Sequence, residues 1–401
     1  MDVAEAIKII DDSLLKLPKV KVPLEKALGR VLRQQVIADV DFPPFDRVMM
    51  DGIAINYQDF QAGIISFKIN GIQAAGAPQM QLEKKGECIE VMTGASAPHG
   101  SDAVIPYEEV EIDAKNKLAT IRTDQFKSGK NIHVKGTDKK KGEILIFEGT
   151  LMEPPEIAVA ASVGLSELFV TKNPSVAIIS TGNELVEIHE KPLPHQIRRS
   201  NVYAIAAELQ QVGIKSDLYH FNDEKDKLII ELGKVVENHD LVIMSGGVSK
   251  GKFDFVPETL ENLGVKKLFH RIKQKPGKPF WFGTKGLNKV VFAFPGNPVS
   301  TFLCFHKYLM PWLKKSLGIQ SVASKQAILA EDFVIRTNLT YFLQVETKIN
   351  EKGQVLAYPK IGQGSGDHAN LLHSDAFLEM PADRFEFKKG EVFNLIPFRN
   401  R

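Results

Sequence analysis

Cysteine is scarce in this sequence. Only Cys88 and Cys304 occur in 401 residues, far apart in the chain, so neither a disulfide framework nor the paired spacing of a zinc or redox site is available. Two buried thiols in a reducing compartment are expected. An excess charge of one sign is lacking as well. The 51 Lys+Arg oppose 49 Asp+Glu, and 51 − 49 = +2 provides no global field for nucleic acid or an acidic membrane surface. Any anion binding must therefore be local. No stretch approaches the roughly 20 apolar residues of a membrane helix. The start, "MDVAEAIKIIDDSLLKL", mixes acids with apolar residues where a signal peptide has a basic start and an unbroken apolar run. A cytoplasmic location is expected. Also missing are G-x-G-x-x-G, the P-loop with its Lys-Ser/Thr ending, and any Ser, His and acid set at a telling spacing. His133, His195, His270 and His368 are scattered. Dinucleotide redox work, ordinary NTP hydrolysis and triad chemistry all lose ground.

What is present suits a folded chain of several domains. A length of 401 residues exceeds the roughly 250 to 300 at which single cores stop growing. Apolar residues at helical spacing in "VAEAIKIIDDSLLKL" predict a helix, and "PLEKALGRVLRQQV" predicts a second. From Asp41 the texture turns to short strands broken by glycine and proline: "DGIAIN", "GIISFKING", "GECIEVMTG", "DAVIPYEEVEI", "KLATIRT". Helical character returns after Pro154 and Pro155, which suit a helix start. The β-rich part therefore reads as an insertion into a helical one. From Pro174, apolar strands alternate with amphipathic helices. "SVAIISTGNEL" leads to "RSNVYAIAAELQQVG", "DLVIMSGG" to "VPETLENLG", and "VVFAFPGNP" to "VSTFLCFHKYLMPWLKK", which predicts a parallel sheet covered on both faces. From Ala323 short strands return, predicting a small β domain.

In open α/β sheets ligands bind beyond the carboxyl ends of the strands. Three strands here end in small glycine-containing turns: "STGNE" at 180–184, "SGGVS" at 245–249 and "PGNPVS" at 295–300. Glycine lets backbone N–H groups approach a phosphate, and a following helix start adds partial positive charge. One such turn is also what a tight strand-to-helix connection needs, but three share this edge. "KPGKP" sets Lys275 and Lys278 about a Pro-Gly bend, as point charges for oxyanions or as a solvated loop pair. Glu184, Asp223 and Asp254 each follow a strand of the same sheet. They would suit Mg²⁺ beside a phosphorylated substrate, or cap the next helix.

Six motifs occur in an order that resembles the molybdopterin molybdenumtransferase family, to which the E domain of gephyrin also belongs. They are "PPFDRVMMDGIAI", "VMTGASAPHGSDAVIPYE", "STGNELVE", "SGGVSKGKFDFV", "KPGKPFWFG" and "FPGNPVSTF". The resemblance spans nearly the whole chain and implies a multidomain α/β plus β protein. It would comprise a helical linker domain (1–44 and 139–172), an inserted β-rich domain (45–138), a central doubly wound α/β molybdopterin-binding domain (173–322) and a small C-terminal β-barrel (323–401). It implies a homodimer with sites shared between subunits, with adenylylated molybdopterin and molybdate as substrates, Mg²⁺ as cofactor, and AMP as a product. Carried over residue by residue, Ser245, Gly246, Gly247 and Ser249 would hold the pterin phosphate, beside Pro295, Gly296 and Asn297. Glu184, Asp223 and Asp254 would serve the metal, and Glu184 and Asp254 also the cleavage. Asp51, Thr93 and Gly94 would reach the partner's cleft, with Asp51 catalytic. Lys275, Lys278, Ser300 and Ser365 would bind molybdate. Transient contact with molybdopterin adenylyltransferase and apo-molybdoenzymes is a further implication, whereas no nucleic acid or membrane is expected. The chain departs from the family pattern at Arg47, Val48 and His133, and at Leu339 and Gln344, which stand where arginines are common. Lys250 and Lys252 add charge to the phosphate turn. A scaffold for cofactor delivery and the preceding adenylyl transfer are the alternative readings.

Overall fold

The computed structural model describes residues 1–248, 255–319 and 324–399. They form two compact units. One comprises Met1–Arg33, Gly149–Glu153 and Glu167–Arg401, the other Gln34–Glu148 and Pro154–Ser166.

The second unit is built on a six-stranded sheet. Its strands run in the spatial order Ala103–Pro106, Gly52–Ile55, Glu87–Val91, Ser66–Gln73, Leu118–Ile121 and Val110–Asp113. Side chains alternate across a strand, so Ile53 and Ile55 enter one apolar cluster with Phe67 and Cys88, while Ala54 joins Ile89 and Val91 on the other face. Both faces are therefore covered. Strand Arg47–Val48 pairs antiparallel with Ile132–His133, and Pro154 opens the helix Pro154–Ser162.

The first unit holds the glycine turns. Its leading helix, Val3–Asp11, is closed by a reciprocal cap in which Asp2 Oδ1 accepts from Glu5 N–H at 2.8 Å and Glu5 Oε2 from Asp2 N–H at 2.8 Å. The second predicted helix does not form. The valine-rich Lys19–Pro23 ahead of it is a strand antiparallel to Glu167–Thr171, and in place of the helix only the short 3₁₀ turn Leu24–Lys26 forms. Gly29 at φ +72° breaks the helical path, after which Val31 and Leu32 are buried in β-bridges.

The central sheet runs Ser216–Phe221, Val176–Thr181, Leu241–Ser245, Lys289–Phe294, Trp281–Lys285, Lys266–His270. The first four strands are parallel, and Val176–Thr181 and Leu241–Ser245 are buried along their whole length. Trp281–Lys285 runs against them, because residues 286–288 join it to Lys289–Phe294 too tightly for a parallel crossover, and Lys266–His270 pairs antiparallel with Trp281–Lys285 in turn. One face buries Ile178, Ile243 and Phe292 with Tyr308 and Trp312, and the other buries Ile179, Met244 and Leu232. The C-terminal strands Thr340–Ile349, Val355–Pro359, Lys325–Leu329, Val392–Pro397 and Ala376–Met380 close on themselves through pairing of the first with the last, giving a five-stranded barrel. Gln274–Lys275 adds to its edge in parallel with Thr340–Tyr341. The "KPGKP" bend is thus fixed to the barrel wall.

Candidate active site

The carboxyl ends of the parallel strands and the adjoining barrel loops enclose a cavity of about 850 Å³. All three glycine turns line it. At Gly246, φ +104°, a Cβ would fall 2.8 Å from Thr181 O, and at Gly247, φ +68°, 2.8 Å from Thr181 Oγ1, so the backbone here runs where only glycine fits. Gly182, φ +136°, is constrained by its backbone conformation, and the Glu184 carboxylate folds back to within 2.5–2.6 Å of where its Cβ would stand.

The turns are tied to one another. Asn201 Nδ2 donates to Ser245 Oγ at 2.9 Å and to Gly296 O at 2.7 Å, and Thr301 Oγ1 donates to Pro295 O at 2.5 Å. The barrel loop joins them through Asn297 Nδ2 to Ser365 Oγ, 2.8 Å, and Val299 N to Ser365 O, 3.1 Å. Thr181 Oγ1 and Gln344 Oε1, both on the wall, are buried and have no hydrogen-bond partner among the described residues, which leaves them for a ligand.

Charge favours an anion. The described lining includes Arg198, Arg199, Lys275, Lys278 and Lys360 against Glu184 and Asp223. Arg199 is engaged by Glu187 at 2.8 Å, and Lys360 by Glu346 at 2.8 Å. Lys275 and Lys278 are exposed and have no ion-pair partner among the described residues. Their charge is free for the cavity.

Of the residues singled out by sequence, the structure gathers Glu184, Asp223, Ser245, Gly246, Gly247, Lys275, Lys278, Pro295, Gly296, Asn297, Ser300 and Ser365 on this one cavity. Ser249 and Asp254, with Lys250 and Lys252, lie outside the described residues. Among the described residues no three His, Cys, Asp or Glu side chains gather as a metal cluster. Asp51, Thr93 and Gly94 belong to the second unit, where Asp51 Oδ1 accepts from Thr93 N at 2.6 Å and Thr93 Oγ1 at 2.7 Å. Those two bonds hold the Asp51 carboxyl below the usual carboxylate range. Asn201 and Gln274 escaped the sequence reading. An asparagine at a helix start looks like a cap, and a glutamine before a lysine bend looks like a surface residue.

Three family models match the chain: the MoeA N-terminal region (domain I and II) over residues 1–164, a probable molybdopterin binding domain over 177–315, and the MoeA C-terminal region (domain IV) over 326–398. A molybdopterin molybdenumtransferase of Synechocystis sp. is 38% identical over 395 residues, covering 98% of this chain and 98% of its own. The chain belongs to the molybdopterin molybdenumtransferase family. A Staphylococcus aureus molybdopterin molybdenumtransferase is 32% identical over 401 residues, covering 98% of this chain and 94% of its own. The crystal structure of a molybdopterin biosynthesis MoeA protein from Pyrococcus horikoshii superposes with a TM-score of 0.82 at 30% identity and covers 100% of both chains. The family is one of transferases in molybdenum cofactor biosynthesis. In the second unit Arg47 Nη2 lies 3.2 Å from His133 Nδ1, while His133 Nε2 lies 2.8 Å from Asp138 Oδ1. Leu339 and Gln344 both line the cavity, beside Lys360 on the barrel side.

Proposed function

We propose that the chain inserts molybdate into adenylylated molybdopterin and releases AMP, and that the 850 Å³ cavity is where it does so. The observation that carries this reading is the meeting, on one cavity wall, of three glycine turns with two lysines that have no ion-pair partner among the described residues. Cleaving a phosphoanhydride requires charge to be neutralised as it develops, without a protein nucleophile. The backbone at Gly246, Gly247 and Gly296 accommodates phosphate oxygens at close range, and Ser245, held by Asn201, adds a hydroxyl. Molybdate is a tetrahedral dianion, and Lys275 and Lys278, with the buried Ser300 and with Ser365, give it charged and hydroxyl donors.

Glu184 and Asp223 share the cavity. Two carboxylates in an otherwise cationic, hydroxyl-rich lining fit Mg²⁺, which takes few protein oxygens and completes its shell from water and substrate phosphates. These two residues, with Asp254, would hold it. When bound, Mg²⁺ supplies charge neutralisation at the phosphate oxygens. We also propose the four-domain division of the chain, a homodimer, and a role for Asp51, Thr93 and Gly94 at the cleft of a second copy. Incubating the purified protein with adenylylated molybdopterin, molybdate and Mg²⁺ should release AMP in step with cofactor formation. Tight binding of the pterin with no AMP release would instead favour a delivery scaffold.

A further inference from the structure

A buried polar cluster lies directly beneath the lysine bend. Gln274 is fully buried. Its Nε2 donates to Pro276 O at 3.1 Å, Gly277 O at 3.3 Å and, more weakly, Cys304 Sγ at 3.6 Å. Its Oε1 accepts from the Tyr308 hydroxyl. Tyr308 is 2% exposed and sits in the π-helical turn Phe305–Leu309 that interrupts the last helix of the α/β fold. The Cys304 thiol closes the cluster, with Sγ 3.9 Å from Gly277 O, and burial keeps it a neutral donor by pushing its pKa well up. Packing above is equally tight. Gly277 stands at φ +87°, and a Cβ there would fall 2.7 Å from Gln274 Nε2 and 2.8 Å from Cys304 Sγ.

An apolar side chain could fill this space, which adjoins the apolar cluster holding Cys304, Tyr308 and Phe280, without burying an amide. What the amide adds is direction: it binds the two carbonyls that lie between Lys275 and Lys278. Neither lysine has an ion pair among the described residues to hold it in place. π-turns recur at functional sites, and this one carries the hydroxyl that completes the amide. We infer that Gln274 and Tyr308 are positioning residues of the oxyanion site, fixing the 275–278 bend from below so that both ammonium groups are presented to the cavity in one arrangement. The inference rests on reading the cavity as a molybdate site. Ordering the bend in advance lowers the entropy lost when the dianion binds.

Gln274→Leu tests this directly, and Tyr308→Phe, which removes one oxygen and keeps the ring, tests it if the first variant folds poorly. In Tyr308→Phe the molybdate concentration for half-maximal AMP release should rise about three- to tenfold, the effect of loosening one hydrogen-bonded anchor. The rate at saturating molybdate should change less than about twofold. Amide exchange across residues 274–278 should quicken in the same variant. In a Lys275→Ala/Lys278→Ala background, adding Tyr308→Phe should shift the titration no further, because nothing remains to be positioned. A merely structural role would give the same shift in both backgrounds, which overturns the inference. If Lys275→Ala displaces the molybdate curve while folded Tyr308→Phe overlays wild type, the inference alone fails. If neither displaces it, the oxyanion reading fails and takes the inference with it.

Discussion

Lys275 and Lys278 flank Pro276 and Gly277, both face the same cavity, and neither is neutralised by a neighbouring acid among the described residues. Two solvated lysines on a free loop would contribute little to binding a dianion, whereas two on a bend paired to the barrel strand, lining the same cavity as Ser300, lose less entropy. Lys275→Ala and Lys278→Ala should each raise the half-saturating molybdate about ten- to a hundredfold, the worth of one charge-assisted contact, with a smaller effect on binding of the adenylylated pterin. A molybdate titration at fixed Mg²⁺ that overlays wild type would return the anion to the serine turns. His270 offers a second test at this scale. Its Nε2 lies 2.9 Å from Val248 O at the end of the second glycine turn, and burial holds the imidazole below its ordinary value of 6.5 despite that bond. The unfolded chain therefore binds the proton more readily. The stability contributed by neutral His270 is complete above 6.5 and is lost as the pH falls toward the lowered folded value. Urea midpoints should drop across this window in wild type and less steeply in His270→Gln. Parallel slopes would assign the acid sensitivity to other groups.

The helix interrupted at Phe305–Leu309 connects the sheet to the barrel as well as to the lysine bend. Lys307, one residue before the Tyr308 that caps Gln274, pairs with Glu379 on barrel strand Ala376–Met380 at 2.8 Å, with side chains 12% and 18% exposed, and lies over the Phe342 ring. A pair this buried is costly to break from one side but not to replace as a whole. Lys307→Met should destabilise the protein by about 3 kcal/mol, and Lys307→Met/Glu379→Leu should recover most of it. Equal loss in the single and double variants, measured by chemical unfolding, would show that packing matters here and charge does not. Little of this element was legible in the sequence. "VSTFLCFHKYLMPWLKK" is apolar at helical spacing throughout, and periodicity does not reveal one extra residue in a turn. The strands ending in "STG", "SGG" and "FPG" were legible, because unbroken apolar runs closed by glycine admit few other readings. "PLEKALGRVLRQQV" misled, since its leucines fit a helix while Gly29 N–H donates to Met152 O and Val31 and Leu32 form β-bridges to Leu151 and Val170, chain segments more than a hundred residues away. Pairing partners at that distance leave no local trace.

At the scale of the whole molecule, the residues marked by sequence fall into two sets. Glu184, the glycine turns and the lysine bend share one cavity in one unit, while Asp51 and Thr93 form a hydrogen-bonded pair in the other. Sequence motifs supplied both sets but not their relation, because motif order carries no distance. Asp51 accepts two hydrogen bonds from Thr93 but makes no ion pair among the described residues. Its carboxylate is exposed, and the bonds from Thr93 that lower its pKa keep it ionised and pointed, as a group acting on a bound substrate should be. If it acts on the cavity of a second copy, then Asp51→Ala and Glu184→Gln remove different parts of the same composite site. Each homodimer should be inactive. A mixed dimer, however, would combine a cavity that retains Glu184 with the partner subunit's intact Asp51 loop, giving one complete site in every heterodimer. Random subunit exchange at equal concentrations makes about half the dimers mixed, each with one working site of two, so activity should recover to about a quarter of wild type. Differently tagged subunits isolated by two affinity steps provide the check. Verified heterodimers that stay inactive would mean that Asp51 and Glu184 serve the site within a single chain.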